Sequence, residues 1–412
     1  MPFDAANKVA IVGVGHSAVG RRLERRIGAL AVDASLEAIA DAGLKLSDID
    51  GLATFPAGPG PGVGPVPGIS SASLQWMVDG LGIEQLNWWA NGGGNISTAI
   101  GYAIQALATH CCDNVLVWRA MYQSRSGGFG SGGRGGRGAN SREAPRPAPR
   151  VNGSEAFSAP YGLSDAPTRF ASAYMRYMKM YGAKREHMAA YALAARKGAN
   201  LNPDAVFYGQ PLSFDDYMNC RMISDPLCLL DCDMPVDGAA ALVLTRAERV
   251  HDLKQPPAYI TAFGSAGYSW KTRPPEEWQY DTAANIGRTL WSSTYMKPSD
   301  MDGAMFYEGF SPDIYWWLEG MGFCPVGTAW EWIQNDRIAL GGELPVNTFG
   351  GSISAGRLHG ISHWVEAVKQ VQNRADDQPG DKARQIQNVE NILCATGMLG
   401  HGIGVVLSKD PR

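Results

Sequence analysis

The sequence has no long apolar run. No stretch of the chain approaches the length of about 18 apolar residues that a membrane-spanning helix needs. Residues 1–9 also lack the apolar segment and the small-residue cleavage site of a secretory signal peptide. From these two absences we expect a cytoplasmic protein without a membrane partner.

The chain also carries little excess charge of either sign. Its formal net charge is −4 and its pI is about 6.0, so it has no global field that would attract nucleic acid or an anionic membrane surface. The Gly/Arg-rich residues 124–150 contain a single short glycine-arginine tract without interleaved aromatics and show no apolar periodicity. We interpret this segment as a flexible surface excursion and expect no nucleic-acid partner.

Cysteine is scarce and scattered. The seven cysteines are an odd number spread between residues 111 and 394, whereas the disulfide framework of a secreted domain is dense and even. Cys228 and Cys232 are four residues apart, but no second pair follows at the distance of a zinc finger. We therefore expect reduced cysteines and no metal site.

Glycine and tryptophan are abundant by contrast, with 50 and 12 residues. Glycine permits tight turns and close approaches of the backbone, and tryptophan provides large apolar surfaces. Both suit a site for a bulky ligand. Paired tryptophans, which are as often core or interface residues, are candidates to line such a pocket: Trp88 and Trp89, Trp316 and Trp317, Trp330 and Trp332.

Hydrophobic periodicity predicts alternating strands and helices. In the first half, strands are predicted at residues 9–15, 114–118 and 237–245, and helices at 27–42, 168–181 and 185–198, with a further helix that ends near Ala108. The glycines of residues 13–20 do not have the spacing of the dinucleotide-binding G-x-G-x-x-G loop. We therefore expect no nucleotide cofactor at the first strand.

The second half of the chain repeats this order. It has predicted strands at residues 258–263 and 303–306 and a predicted helix at 281–296. Residues 46–53 and 297–304 are near copies, each with an acidic turn before a strand. A single repeat at a distance of about 250 residues indicates two related halves, because the repeats of a solenoid have only about 20–50 residues. We place the halves at 1–252 and 253–412, with a large loop region at about 119–222 in the first.

Motifs along nearly the whole chain resemble the thiolase superfamily. They are Tyr307-Glu-Gly-Phe310, residues 346–351 before Gly356-Arg-Leu-His-Gly360, and the closing segment 394–406. Residues 196–203, 224–227 and 237–240 are similar to the sterol-carrier and lipid-transfer branch. The resemblance implies the thiolase fold, an α/β fold of two duplicated halves in a five-layered α-β-α-β-α arrangement.

The nucleophile of that family is missing. Thiolases hold a reactive cysteine at the N-terminus of a first-half helix, where the helix dipole and the amides lower its pKa. The resemblance places Gly93 at this position. Gly93, Gly94 and Asn95 are then expected to form an amide nest that binds a thioester oxygen or a substrate hydroxyl. Ser97 and Thr98 carry nearby hydroxyls, but their spacing is typical of a helix cap or an inward-facing residue.

Other catalytic positions of the family differ as well. Tyr307 and Glu308 stand where thiolases have Asn-Glu or His-Asp, and Arg357 stands where they have the histidine of Gly-His-Pro. The lipid-transfer-like aldolases of steroid side-chain breakdown also lack the cysteine and have a tyrosine at the position of Tyr307, but they have a second tyrosine where Arg357 stands. The resemblance implies that Tyr307 moves the proton of a β-hydroxyl in retro-aldol cleavage. Either Arg357 stabilises the enolate as a cation, or His359 performs the acid/base task.

Further residues complete the predicted site. Glu308 either orders its neighbours or is simply exposed to solvent. Asn347, Cys394 and His401 are predicted substrate contacts, and Cys394 lies near the position of the second thiolase cysteine. His363 and Glu366 follow His359 at helical spacings, and we predict that they are solvated or face a partner.

The resemblance implies an aldolase that cleaves a bulky β-hydroxyacyl-CoA, such as a steroid side-chain thioester, to a ketone or aldehyde and a shorter acyl-CoA. The alternatives are a cysteine-free acyltransferase of thiolase type and a non-catalytic thiolase-fold subunit of a complex. The resemblance further implies a homodimer and a separate DUF35-type partner with an OB-fold and a zinc ribbon. CoA is expected only as part of the substrate, without another cofactor.

Overall fold

The computed structural model describes residues 5–55, 66–69, 71–124, 156–163, 165–267, 277–375, 384–398 and 400–412. The Gly/Arg-rich excursion predicted at residues 124–150 lies outside this part of the chain except for Ser124. No helix in the described ranges is both long and apolar enough to cross a membrane.

Regular structure follows the predicted alternation. The strands are β1 Val9–His16, β2 Gly51–Thr54, β3 Trp88–Asn91, β4 Asn114–Tyr122, β5 Met222–Ser224, β6 Leu227–Cys228, β7 Asp237–Arg246, β8 Ala258–Gly267, β9 Gly303–Phe306, β10 Asn391–Met398 and β11 His401–Ser408. The helices are α1 Ile27–Ala42, α2 Leu74–Leu81, α3 Ile96–Ala108, α4 Ala166–Tyr181, α5 Ala189–Leu201, α6 Phe214–Met218, α7 Trp278–Trp291, α8 Asp313–Gly320, α9 Ala329–Trp332 and α10 Ile361–Val371.

The hydrogen-bonded order of the described strands is β3-β2-β4-β7-β1-β8-β11-β10-β9, and β5 and β6 form a separate ribbon. The two halves meet where β1 and β8 pair over two residues, Ala10 with Tyr259 and Ile11 with Ala258. The order β9-β10-β11-β8 repeats the order β2-β4-β7-β1, with one parallel and two antiparallel pairings in each half. The predicted boundary at 252/253 falls between β7 and β8 and stays a prediction.

The near-copy segments make the same contacts in both halves. Asp50 Oδ1 accepts the amide N–H of Asn114 at 2.8 Å, and Asn114 donates its side-chain amide to the carbonyl of Asp48. In the second half, Asp302 Oδ2 accepts the amide N–H of Asn391 at 2.9 Å, and Asn391 donates to the carbonyl of Asp300. The duplication inferred from the sequence therefore extends to individual hydrogen bonds.

The strands and helices stack in five layers. Successive side chains of a strand point to opposite faces, so Ile11 packs in the middle layer while Val12 packs against α1 and α2. The helices α3 and α10 lie between the two halves of the sheet and contact strands of both. The helices α7 and α8 cover the outer face of the second half. This is the predicted α-β-α-β-α arrangement.

Two glycines of the first strand serve packing. A methyl group at Gly13 would lie 2.2 Å from the carbonyl oxygen of Ala38, and one at Gly15 would lie 2.3 Å from that of Ala34. Only glycine allows α1 to approach the strand this closely. This contact accounts for Gly13 and Gly15 of the glycine-rich run at residues 13–20.

Two predicted helices have clearly different bounds. The helix predicted at residues 185–198 is α5, at Ala189–Leu201, and a 3-10 turn at Arg185–Met188 precedes it. The helix expected at residues 281–296 is α7, which begins earlier, at Trp278, and ends earlier, at Trp291. The hydroxyl of Ser292 donates to the carbonyl of Thr289 at 2.9 Å, and that of Ser293 donates to the carbonyl of Leu290 at 2.7 Å. Such side-chain bonds compete with the next backbone bonds and favour a helix end.

Candidate active site

The turn before α3 contains the residues of the predicted amide nest, whose binding role stays a prediction. Asn95 caps the helix, because its Oδ1 accepts the amide N–H of Thr98 at 3.0 Å. Gly93 and Gly94 are exposed, and a side chain at Gly93 would meet no atom within 4 Å. At Gly94, by contrast, a methyl group would lie 2.1 Å from Nε2 of His401. A side chain at residue 94 would therefore displace the ring of His401, whereas residue 93 is open.

The hydroxyl of Ser97 faces the protein interior. Ser97 is fully buried, and its Oγ donates to the carbonyl of Thr396 at 3.1 Å. This bond ties the first turn of α3 to β10. The contact fits the interpretation of Ser97 as a structural residue and leaves no exposed hydroxyl for an acyl-enzyme at this position.

Tyr307 lies directly after β9, where its peptide group is fixed on both sides. Its N–H donates to the carbonyl of Ala395 at 2.9 Å, and its carbonyl accepts the indole N–H of Trp317 at 2.8 Å. The side chain is 6% exposed, and burial together with the nearby Asp233 carboxylate raises the pKa of its phenol well above the usual value. Among the described residues, the phenol hydroxyl has no hydrogen-bond partner.

His359 stands beside this tyrosine in a left-handed backbone conformation, with φ 51°. The two rings meet edge-on, with 6.5 Å between the centroids. Nδ1 of His359 lies 3.0 Å from Nη2 of Arg119. Because a guanidinium can only donate, Nδ1 accepts this bond and Nε2 carries the ring proton. Burial, Arg119 and Arg357 all lower the pKa of His359 well below its usual value, so the ring is a neutral donor through Nε2.

Arg357 is engaged in an ion pair. Its Nη1 lies 2.7 Å from Oδ2 of Asp233, and its Nη2 donates to Oε1 of Gln123. Burial raises the pKa of Asp233 to about 6, although Arg357 opposes this shift. The charge of Arg357 is therefore balanced within the site before any substrate arrives. Arg357 and His359, the two alternatives left by the sequence, both lie in this site, and their roles stay predictions.

Glu308 is fully buried, so the alternative of simple solvent exposure is wrong. Its Oε1 accepts the amide N–H groups of Ser352 and Ile353 at 2.5 and 3.3 Å. Its Oε2 accepts the side-chain amide of Asn347 at 3.1 Å and lies 2.8 Å from Nε2 of His363. Glu308 thus connects three segments: the turn at Ser352 and Ile353, the helix α10, and the end of β9, which Tyr307 follows.

The prediction that His363 and Glu366 are solvated or face a partner is wrong. Both are buried, because α10 lies between the two sheet halves and is covered on all sides, so even its polar face is enclosed. His363 bonds to Glu308. Glu366 lies 3.3 Å from Nη2 of Arg384 and accepts the hydroxyl of Thr348 at 2.7 Å.

The three remaining predicted contacts have different surroundings. Asn347 uses its amide on the backbone of Phe306 and on Glu308. Cys394 is fully buried in β10, where burial raises the pKa of its thiol well above the usual value. His401 lies next to the nest, since its carbonyl accepts the Asn95 amide at 3.4 Å. The structure thus brings His401 to the start of α3 and places Cys394 in the core, and the binding roles stay predictions.

The predicted tryptophan pairs do not share one environment. Trp316 and Trp317 are buried in the second-half core, and Trp317 supports Tyr307 through its indole N–H. Trp89 is 60% exposed on β3 at the edge of the sheet.

The described residues contain no group of three His, Cys, Asp or Glu side chains that could hold a metal ion.

Comparisons with known proteins give one matching family model and two similar proteins. The thiolase C-terminal domain-like family model matches residues 264–409. The chain is 33% identical over 400 residues to the 17-hydroxy-3-oxo-4-pregnene-20-carboxyl-CoA lyase of Mycobacterium tuberculosis, covering 95% of this chain and 97% of that protein. It is 34% identical over 415 residues to the steroid side-chain-cleaving aldolase of Thermomonospora curvata, covering 97% and 98%. The chain belongs to this family of thiolase-like aldolases.

A solved structure supports the same assignment. The Ltp2-ChsH2(DUF35) aldolase matches the whole of both chains with 30% identity and a TM-score of 0.83. The predicted thiolase fold and aldolase family are thereby confirmed.

The sequence interpretation missed Gln123 and Asp233, the partners of Arg357. A further missed residue of this aldolase site is Arg119. It lies in β4, is 3% exposed and bonds to His359. The signal was present in the sequence, because a cation interrupts the otherwise apolar run of residues 115–121. The predicted strand, however, ended one residue earlier, at Trp118.

Proposed function

We propose that the chain is a retro-aldolase that cleaves a β-hydroxyacyl-CoA whose β-carbon belongs to a steroid ring. The products are a ring ketone and a short acyl-CoA. The observation that carries this proposal is the phenol of Tyr307, which has no hydrogen-bond partner among the described residues and lies beside the ring of His359. The resemblance adds that Gly93 stands in place of the thiolase cysteine. The substrate class is supported by the names of the two relatives.

The reaction moves one proton from oxygen to carbon within the substrate. Breaking the Cα–Cβ bond converts the β-hydroxyl to a carbonyl and leaves its electron pair on Cα as a thioester enolate. Because burial raises the pKa of the Tyr307 phenol, the phenol is protonated in the resting enzyme. As the bond breaks, the phenol oxygen accepts the proton of the β-hydroxyl through a lone pair and releases its own proton to Cα, so the tyrosine is unchanged at the end.

Negative charge develops on the thioester oxygen during this step. Nε2–H of His359 is one donor to that oxygen. The amide N–H groups of Gly93 and Gly94 are others, since within the described residues neither of them donates a hydrogen bond. The nest that holds the acyl-enzyme in thiolases would here hold the enolate, without a covalent intermediate.

Partners are part of the proposal. The structural match to an aldolase assembled with a DUF35 protein supports a partner of that kind for this chain in the cytoplasm. A homodimer is supported by β3, which is at the edge of the sheet formed by the described strands and carries the exposed Trp89, because an edge strand is a template for pairing with a second chain. CoA enters as part of the substrate, and no further cofactor is required by the reaction.

The test is to incubate the purified chain, alone and with a DUF35-type partner, with the CoA thioester of a 17-hydroxy steroid C-20 carboxylic acid. Mass spectrometry follows the steroid and the CoA products. A 17-ketone and a short acyl-CoA in equal amounts support the lyase. Free CoA with an acylated acceptor would indicate the acyltransferase alternative, and binding without any turnover would indicate the non-catalytic subunit.

A further inference from the structure

We propose that Arg119 is a positioning residue for this reaction: it holds His359 in the one tautomer that presents Nε2–H to the thioester oxygen. The inference rests on the proposed function and adds to it a residue that lies in a different half of the chain from Tyr307. Its basis is the 3.0 Å contact between Nη2 of Arg119 and Nδ1 of His359.

The guanidinium is held rigidly. Its Nη1 donates to the carbonyl of Ala120 at 2.9 Å, and its Cζ lies 5.3 Å from the ring centroid of Phe55. These two contacts, one with β4 and one with the residue that follows β2, restrict the plane of the guanidinium. Nη2 points toward Nδ1 of His359. The position of Arg119 in β4, and not the substrate, therefore determines which ring nitrogen accepts the hydrogen bond.

The charge of Arg119 is not neutralised. It forms no ion pair with a carboxylate in the described part of the chain, and its Nε is buried without a hydrogen-bond partner. Burial lowers the pKa of Arg119 to about 9, which still leaves it charged at neutral pH. A buried cation without an anion is costly for a fold. Here it prevents a second proton from binding Nδ1, and it favours a state in which negative charge appears nearby.

Arg357 cannot fill this role in the same way. Arg357 is already paired with Asp233 at 2.7 Å. Among the described residues, no hydrogen bond joins it to a nitrogen of His359. In the retro-aldol step, the electron pair of the breaking Cα–Cβ bond moves toward the thioester oxygen. Arg119 therefore supports the enolate through His359, while Arg357 and Asp233 form a neutral pair beside the phenol.

The experiment is a double-mutant cycle in the full complex. Arg119→Met introduces an apolar side chain of similar length, so the hydrogen-bond donor to His359 is lost. His359→Asn suits the left-handed backbone of residue 359 and removes the Nε2 donor while it keeps a short acceptor. Arg185→Met is the matched control, because Arg185 also lies 5.3 Å from an aromatic ring and donates to carbonyls, away from the site.

We expect each site variant to lower kcat by about 100-fold, with KM changed by less than about threefold. The double variant should lose little more than the worse single variant, because the two side chains act as one unit. Arg119→Lys, which keeps a donor and a charge, should recover part of kcat. Arg185→Met should retain the wild-type kcat.

A double variant whose loss equals the product of the two single losses would overturn the inference, as would an Arg119→Met enzyme with the wild-type kcat. A second measurement does not depend on turnover. In the free protein, the ¹⁵N chemical shifts of the His359 ring should report a proton on Nε2 in the wild type and a mixture of tautomers in Arg119→Met. If the wild type showed this tautomer but cleaved no substrate, the proposed function would fail while the positioning role stood.

Discussion

The ring of Tyr307 meets the ring of His359 edge-on, with 6.5 Å between the centroids, and the phenol hydroxyl takes no part in holding this arrangement. The backbone of Tyr307 is fixed by Ala395 and Trp317. The ring also packs closely against Gly360, where a methyl group would lie 3.4 Å from it. The fold therefore positions the ring and leaves its hydroxyl for chemistry.

The first prediction concerns Tyr307→Phe. The change removes only the hydroxyl, which has no hydrogen-bond partner among the described residues, so the free energy of unfolding should change by less than about 1 kcal/mol. The lyase kcat should fall by about 10²- to 10⁴-fold, because the proton of the β-hydroxyl loses its acceptor. Product formation by mass spectrometry and urea denaturation measure the two effects.

Tyr174→Phe is the control for this experiment. Tyr174 is also a buried tyrosine, but its hydroxyl donates to the carbonyl of Lys184 at 3.1 Å. Its loss should lower the free energy of unfolding by about 1 kcal/mol and leave kcat unchanged. If the two variants lost activity equally, Tyr307 would have no special role.

A second prediction concerns Gly93→Cys. The site is open to a side chain and precedes the N-terminus of α3, so the variant should fold normally and its thiol should have a lowered pKa. Iodoacetamide should alkylate it at pH 7 faster than it alkylates the exposed Cys111. Thiolase activity should not appear, because Arg357 and Leu358 stand in place of the His-Pro of the family. Peptide mass mapping measures the alkylation of each cysteine. If the thiol introduced at residue 93 reacted no faster than Cys111, there would be no anion-binding nest at this turn.

Much of this site could be predicted from the sequence, and the failures have identifiable physical reasons. The acidic turns at Asp50 and Asp302 were recognisable because their two segments are near copies in the sequence, although the hydrogen-bond partners Asn114 and Asn391 lie 64 and 89 residues away. The burial of His363 and Glu366 was not, because the sequence of α10 does not show that a second sheet half covers its polar face. Arg119 was missed because its partner His359 is 240 residues away, and no local pattern records that contact.

A third prediction compares a buried with an exposed ion pair. Arg357→Met leaves the buried Asp233 carboxylate without its cation and should lower the free energy of unfolding by about 3–5 kcal/mol. Arg337→Met breaks the exposed pair with Glu343 and should cost at most about 1 kcal/mol. Urea denaturation at pH 7.5 measures both. Equal losses would show that the Arg357 pair is as well solvated as the surface pair.

The last prediction follows from the protonation of Asp233. Burial raises the pKa of its carboxyl from 3.8 to about 6 in the folded chain. Between about pH 4 and pH 6 the folded chain therefore binds more protons at this group than the unfolded chain does. Since stability falls with rising pH wherever the folded state binds more protons, the contribution of Asp233 should decrease through this window and be constant on either side of it.

Asp233→Asn isolates this contribution, because asparagine has a similar shape, can still accept a bond from Arg357 and does not titrate. Urea denaturation of both proteins at pH 4, 5, 6 and 7 and constant ionic strength gives the difference in the free energy of unfolding, wild type minus variant. This difference should fall by as much as about 3 kcal/mol across the window. A difference that rises with pH would mean that Arg357 keeps the native carboxylate ionised throughout, so that the ion pair outweighs the burial of Asp233.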